Sequence, residues 1–187
     1  SPSAEKSPEV FLESDTKATR FPVANLVAMG LQQLQHRGQE SCGIVTCGTK
    51  PGDFTQLKGM GLVASVCKAT ELQKMEGHMA IGHVRYSTAG GKGELECQPF
   101  VAHTLHGQVA LAHNGELVNS QGLMHMILQH GVGMTSMSDS EVIMQMLCAP
   151  APPPSVEHMH GADWKARIRA FMVKASTSYS LAFMTAN

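Results

Sequence analysis

Apolar residues in this chain come in short bursts, and that limits it to a fold of small strands and separate helices. Residues 43–47, 79–83, 99–103 and 109–113 are mostly apolar runs of strand length, bounded by glycine or polar connections. Lys50-Pro51-Gly52-Asp53 turns the first of them back toward residues 54–58 as a hairpin, and residues 179–184 read as a last strand. Helical spacing occupies other stretches. Val23, Leu26, Val27, Leu31 and Leu34 recur at three- and four-residue steps after Pro22, with Gly38 beyond the end. Helices are also expected over 120–129 and 138–148, the second opening on a reciprocal capping box between Ser138 and Glu141. The prolines of 149–154 end it. A final helix starts near Asp163 with Trp164, Ile168, Phe171 and Met172 on one face.

These elements make an α+β chain. Its 187 residues, 43% of them hydrophobic, suit one globular domain spanning 22–187. Residues 1–21 mix Ser, Pro, Glu, Lys and Asp with few apolar positions and are expected to form a loose tail. A net charge of -1 without a Lys/Arg run argues against nucleic acid and other polyanions, leaving small molecules and other proteins as partners. No apolar stretch approaches the roughly 20 residues that cross a bilayer, and no secretory leader is visible, so a cytoplasmic location is expected.

The five cysteines form no C-x-x-C pair, and His158-Met159-His160 has no carboxylate or thiol at ligand spacing, so no metal site is expected. Methionine in the helices reads as flexible core filler. The 89–93 connection, Ala-Gly-Gly-Lys-Gly, lacks the glycine spacing of a phosphate loop and reads as a turn. The chain starts with Ser1, which marks it as processed or as a fragment.

Several polar residues sit where an apolar element ends, and each has two readings. Arg85 closes a strand, where a guanidinium can grip a carboxylate bidentately or simply face water. Asn114-Gly115 follows another strand and is either a two-residue hairpin turn or a pair of N–H donors for an oxyanion. Asp139 near a helix N-terminus either caps it or receives an ammonium. Arg37-Gly38 at a helix exit is either a left-handed C-cap or the lip of a pocket.

Taken in order, Leu34-Gln35-His36-Arg37-Gly38-Gln39-Glu40-Ser41-Cys42, Gly82-His83-Val84-Arg85-Tyr86-Ser87-Thr88, Cys97-Gln98-Pro99-Phe100, His113-Asn114-Gly115-Glu116 and Ser138-Asp139-Ser140-Glu141 resemble the amidophosphoribosyltransferases. The likeness is to their class II glutamine amidotransferase domain and runs from about residue 23 to residue 184. Other class II enzymes share the Arg, Asn-Gly and Asp pattern but differ around His-Arg-Gly-Gln-Glu and Cys-Gln-Pro-Phe. The resemblance implies an Ntn-hydrolase-like four-layer αββα sandwich with two antiparallel sheets, here incomplete. It implies that Asn114 and Gly115 form the oxyanion hole and that Arg85 binds the α-carboxylate of glutamine. Asp139 would receive the α-ammonium, Arg37 and Gly38 would border the glutamine pocket, and Cys97 to Phe100 would be scaffold. In the family the ammonia serves the first step of purine synthesis. Magnesium, the iron–sulfur cluster of some members and the phosphoribosyltransferase domain are properties of that parent enzyme, not expected of this chain, and a homo-oligomer is expected of the parent enzyme.

One family feature has no counterpart. The N-terminal cysteine, whose thiolate attacks the carboxamide while its own α-amine moves the proton, should fall near residues 6–10, where the chain reads Lys6-Ser7-Pro8-Glu9-Val10. Cys42-Gly43-Ile44-Val45 looks like the family's Cys-Gly-Ile-Val start, but an internal cysteine has no free α-amine, and Ser1 is followed by Pro2, which cannot donate a strand hydrogen bond. No nucleophile is therefore assigned. Two functions remain open: the glutaminase portion of such an enzyme, inactive as written, or a non-catalytic relative that binds glutamine or a subunit.

Overall fold

The computed structural model describes residues 22–48, 52–86, 93–153, 162–176 and 178–186. The tail expected at 1–21, most of the Lys50 turn and the 89–93 connection, Ser87, Thr88, Pro154 and His158-Met159-His160 lie outside the described residues.

Helix α1 (Val23–Gln33) opens after Pro22 and runs into a 3-10 turn (Gln35–Arg37). Its buried face is Ala24, Ala28 and Leu31, with Val27 packed beside them. Leu26, expected on that face, is 54% exposed, because at 100° per residue it is turned away from the 24–28–31 stripe. Strands β1 (Ser41–Cys47) and β2 (Phe54–Met60) follow as an antiparallel pair. Two single turns, α2 (Val63–Val66) and α3 (Ala69–Leu72), were not predicted, being too short to show a hydrophobic period. Strand β3 (Met79–Arg85) then pairs with the other side of β1, giving a sheet ordered β2-β1-β3.

The second sheet is ordered β4-β5-β6, from β4 (Phe100–Thr104), β5 (Gly107–Gly115) and β6 (Tyr179–Thr185), again antiparallel. Between β5 and β6 the chain forms α4 (Ser120–Gln129), α5 (Asp139–Cys148) and α6 (Trp164–Lys174).

The alternation of side chains along each strand builds the layers. From β1, Cys42 and Ile44 join Ala24, Leu31 and Val63 under α1 and α2, whereas Val45 and Cys47 face the other sheet. From β5, Val109 and Leu111 pack with Val142, Ile143, Leu147 and Phe171 of α5 and α6, whereas Ala110 meets Val45, Cys47 and Met184 between the sheets. Helices thus cover the outer face of each sheet, and the two inner faces pack on one another. Every residue of β1 is buried, as expected for a strand covered on both sides. Each fully buried Val, Leu or Ile contributes about 1.5–3 kcal/mol by leaving water.

Two expectations about helix ends need correction. Ser138 caps α5, its hydroxyl accepting from the Glu141 N–H at 3.3 Å, but Glu141 does not reach back to Ser138. Its carboxylate instead accepts from the backbone N–H and hydroxyl of Thr135 and the N–H of Ser136, while the Ser138 N–H donates to the Ser136 hydroxyl. On α6, Asp163 is the cap and Phe171 is buried with Trp164 and Ile168 against the core, yet Met172 is 58% exposed, one residue round from Phe171.

Candidate functional site

The C-terminal ends of β3 and β5, the start of α5 and the 3-10 turn after α1 meet at one end of the sandwich. They enclose an open cavity of about 560 Å³. Arg37, Arg85, Asn114, Gly115 and Asp139 all line it, although they come from four separated segments. Of the six residues singled out in the sequence, only Gly38 is not on its wall.

Gly38 has a different task. Its φ of -166° is ordinary extended backbone, so the left-handed cap, one of its two readings, is absent. A β-carbon at this position would lie 2.6 Å from the carbonyl carbon of Val84 and 2.8 Å from that of Arg85, so glycine is required by close approach of two main chains. That approach seats Arg37 against the end of β3. Gln35 ties the same turn down, its amide donating to the Gly38 carbonyl and its oxygen accepting from the Val63 N–H at 2.8 Å.

Asn114 and Gly115 are not a hairpin turn. They are the last two residues of β5, paired with Ser180 and Tyr179 of β6. Gly115 has φ +142°, and a β-carbon there would meet the Ser178 carbonyl oxygen at 2.6 Å. The cavity is therefore lined by Asn114 and by a neighbouring position closed to larger residues.

Arg85 lies in the cavity wall with its guanidinium already engaged. One nitrogen, Nη1, donates to Glu40 at 3.4 Å, and Nη2 donates to Glu96 in a close ion pair. Glu40 also bonds Arg85 through the main chain, its N–H donating to the Arg85 carbonyl at 3.1 Å. Asp139 sits in the first turn of α5, with Ser138 as the actual cap, and its Oδ2 accepts from the Leu117 N–H at 2.7 Å. This bond fixes α5 to the segment that leaves Gly115.

Two histidines not assigned a role from the sequence flank these groups. His83 of β3 is held neutral, its pKa lowered to about 4, chiefly by burial and further by His113 and Arg85. Burial also lowers His113, against the opposing pull of Asp139. The His113 ring shares a hydrogen bond with the Ser140 hydroxyl at 3.2 Å through Nδ1, and its backbone N–H donates to the Gln98 side chain at 2.6 Å. Gln98 thus joins the second sheet to the cavity wall and also carries scaffold, as Cys97 to Phe100 was expected to do. Glu96 and Met137, which sequence reasoning had not named, also stand on the wall, as do Tyr86 and Glu116, named there only as members of the quoted motifs. Nothing in the sequence beyond that membership signalled a place on the wall for Tyr86 or Glu116.

The cavity wall contains no cysteine among the described residues. Cys42 is buried under α1 and α2 in the same cluster as Cys67, and hydrogen bonding to Cys67 together with burial holds its thiol well above the ordinary range. It is 1% exposed and lies off the cavity wall, so its resemblance to a Cys-Gly-Ile-Val start is not matched by a place in the cavity. Among the described residues no group of three or more His, Cys, Asp or Glu could hold a metal ion. No described helix is long and apolar enough to cross a membrane.

A family model for the glutamine amidotransferase domain matches residues 83–164. The amidophosphoribosyltransferase of Homo sapiens is 49% identical over 169 residues, and that of Drosophila melanogaster 48% over 167, each alignment covering 89% of this chain. The chain spans only 32% and 30% of the length of those relatives. In three dimensions it is similar to a solved structure described as the allosteric regulatory enzyme of purine biosynthesis, at TM-score 0.74 and 35% identity over 87% of this chain and 33% of that one. The glutamine phosphoribosylpyrophosphate amidotransferase of B. subtilis, solved with ADP and GMP, gives TM-score 0.71 and 32% identity over 88% of this chain and 33% of that one. By shared sequence and shared fold, the chain belongs to the amidophosphoribosyltransferase family, which it matches over its glutamine amidotransferase region.

Proposed function

We propose that the cavity is a binding site for free L-glutamine, held by its two charged α-groups with the side-chain carboxamide toward Asn114 and Gly115. The observation that carries this reading is the convergence of Arg37, Arg85, Asn114, Gly115 and Asp139 on one cavity from four distant stretches of chain. A zwitterion needs a cation and an anion at fixed separation, and Arg85 and Asp139 supply them on opposite elements, a strand end and a helix start. The Asn114 amide and the Gly115 N–H are donors of the kind that stabilise charge developing on a carboxamide oxygen. In the whole protein, glutamine bound here would supply nitrogen for amidophosphoribosyl transfer in purine synthesis.

The same reading holds that the 187-residue chain binds glutamine without hydrolysing it. Among the described residues the wall carries no thiol, so no described residue is assigned to thiolate attack on the carboxamide. Calorimetric titration with L-glutamine tests the binding. Arg85→Ala is expected to weaken it about 10- to 100-fold, the loss of a charge-assisted pair; unchanged affinity would remove Arg85 from the site. Glutamate release is expected to stay at background, and release that Asn114→Ala abolishes would overturn the non-hydrolytic part.

A further inference from the structure

The guanidinium that would receive a ligand carboxylate is already shared between two carboxylates of the chain itself, and the two are placed differently. Glu96, at the end of a 3-10 turn (Glu94–Glu96), is on the cavity wall and pairs with Nη2 of Arg85. Glu40 is not on that wall; it reaches Nη1 at 3.4 Å and is also joined to Arg85 through the main chain. Both pairs are largely shielded, with side-chain exposures between 16% and 22%, so neither is a freely solvated surface contact that contributes little. Glu40 steadies the arginine from behind. Glu96 stands where a bound carboxylate would stand.

Charge on the wall leads the same way. Arg37 and Arg85 face Glu96, Glu116 and Asp139, and His83 and His113 are both held toward neutrality, so the wall carries one more negative than positive group. A zwitterion brings no net charge. If Glu96 leaves Arg85 as the ligand arrives, one guanidinium and one carboxylate, Arg85 and Asp139, remain to meet the two charges of the ligand.

Resting on the glutamine reading above, we infer that Glu96 is an internal competitor for Arg85, so that ligand binding is an exchange of one carboxylate for another and Glu96 sets its affinity and its requirement for an α-carboxylate. A carboxylate ligand must displace Glu96, and a ligand lacking that group has no cause to do so. The cost of displacement lowers the apparent affinity by the fraction of molecules in which Arg85 is open. The Glu96 carboxylate, itself on the wall, then has two positions: on Arg85, or released.

The test compares L-glutamine with L-glutaminol, which keeps the carboxamide and ammonium but has no carboxylate. Glu96→Gln, of the same size but uncharged, is expected to tighten L-glutamine binding about tenfold and to leave L-glutaminol unchanged, while Glu40→Gln tightens neither. Glu96→Ala repeats the test should the glutamine side chain form a new bond to Arg85. Unchanged or weaker L-glutamine binding in both Glu96 variants, with Arg85→Ala still losing it, overturns the exchange and leaves the binding reading intact. Equal tightening of both ligands also overturns it, since that reports general relief of negative charge. The contact itself is read without ligand from proton exchange at the Arg85 guanidinium by NMR. Faster exchange in Glu96→Gln than in the parent is expected, and equal exchange overturns the proposal even where no glutamine binds. Absence of L-glutamine binding by the parent and both Glu96 variants, with the guanidinium contact confirmed, removes the glutamine reading and the exchange with it.

Discussion

At the scale of single residues, the two site glycines are glycine for different reasons. Gly115 combines φ +142° with a carbonyl oxygen 2.6 Å from where a β-carbon would lie, whereas Gly38 has ordinary dihedrals and only the close approach. Gly115→Ala must pay for an unfavourable φ as well as displace the Ser178–Tyr179 backbone. A loss of about 1–3 kcal/mol is expected for the backbone strain alone. Denaturant titration checks it: a midpoint equal to that of the parent would mean that the end of β5 relaxes freely. Gly38→Ala is expected to shift Arg37 away from β3 and so to weaken glutamine binding more than it lowers stability.

At the scale of elements, α5 is the helix that connects the core to the site, and it is held at both ends. Its first turn is capped by Ser138 and tied through Asp139 to Leu117. At its other end the buried Arg167 of α6 donates to the carbonyls of Leu147, Cys148 and Ala149, with its guanidinium 5.2 Å from the centre of the Trp164 ring. Those carbonyls have no partner within the helix, so the guanidinium acts as a C-terminal cap and complements the negative end of the helix dipole. Arg167→Met is expected to cost about 1.5–3 kcal/mol in chemical denaturation, the range for hydrogen bonds to a charged group. An effect below 0.5 kcal/mol, of order ordinary surface changes, would assign those carbonyls to water. Ser138→Ala should cost about 1 kcal/mol by loss of the N-cap.

At the scale of the whole molecule, the facing sheets decide how the protein responds to acid. His83 is carried by the first sheet and His113 by the second, and both pKa values are lowered first by burial. For His83 the folded value, about 4, lies below the unfolded value of about 6.5. The unfolded chain therefore binds more protons between these limits, so stability is fully present above pH 6.5 and is lost as pH falls toward 4. Glu141 adds to this lower down. Burial raises its pKa, but the bonds from Thr135 and Ser136 outweigh burial and hold it below its ordinary value, so its contribution is lost below about pH 4.5. Denaturant midpoints measured from pH 7 to pH 4.5 are expected to fall, and His83→Asn to flatten the upper part of that fall. A parent profile flat between pH 6.5 and 4.5 would show that neither histidine is excluded from solvent.

Much of this was legible along the chain because it is local. A strand announces itself by a short apolar run, as in β5, and a cap by Ser138 three residues before Glu141, since each depends on neighbours within a turn or a pleat. The positions of Arg85, Asn114 and Asp139 at element ends were legible for the same reason. Helices α2 and α3 were not, being single turns without a period. Nor were the side-chain partners. That Glu141 serves Thr135 and Ser136 rather than Ser138, and that Gly38 lies against Val84, depend on how loops fold back.

Sequence by itself determined where the strands and the longer helices lie and, through ordered motifs, the family, but not the single-turn helices α2 and α3. Tertiary structure alone decided that Arg85 is held by Glu40, 45 residues away, and Glu96, 11 residues away, and that one cavity collects groups from both sheets. The physical reason is range. Backbone propensity and capping act over a few residues, whereas the partner of a charge at a strand end is chosen by which strands pair and by how distant loops fold back on them.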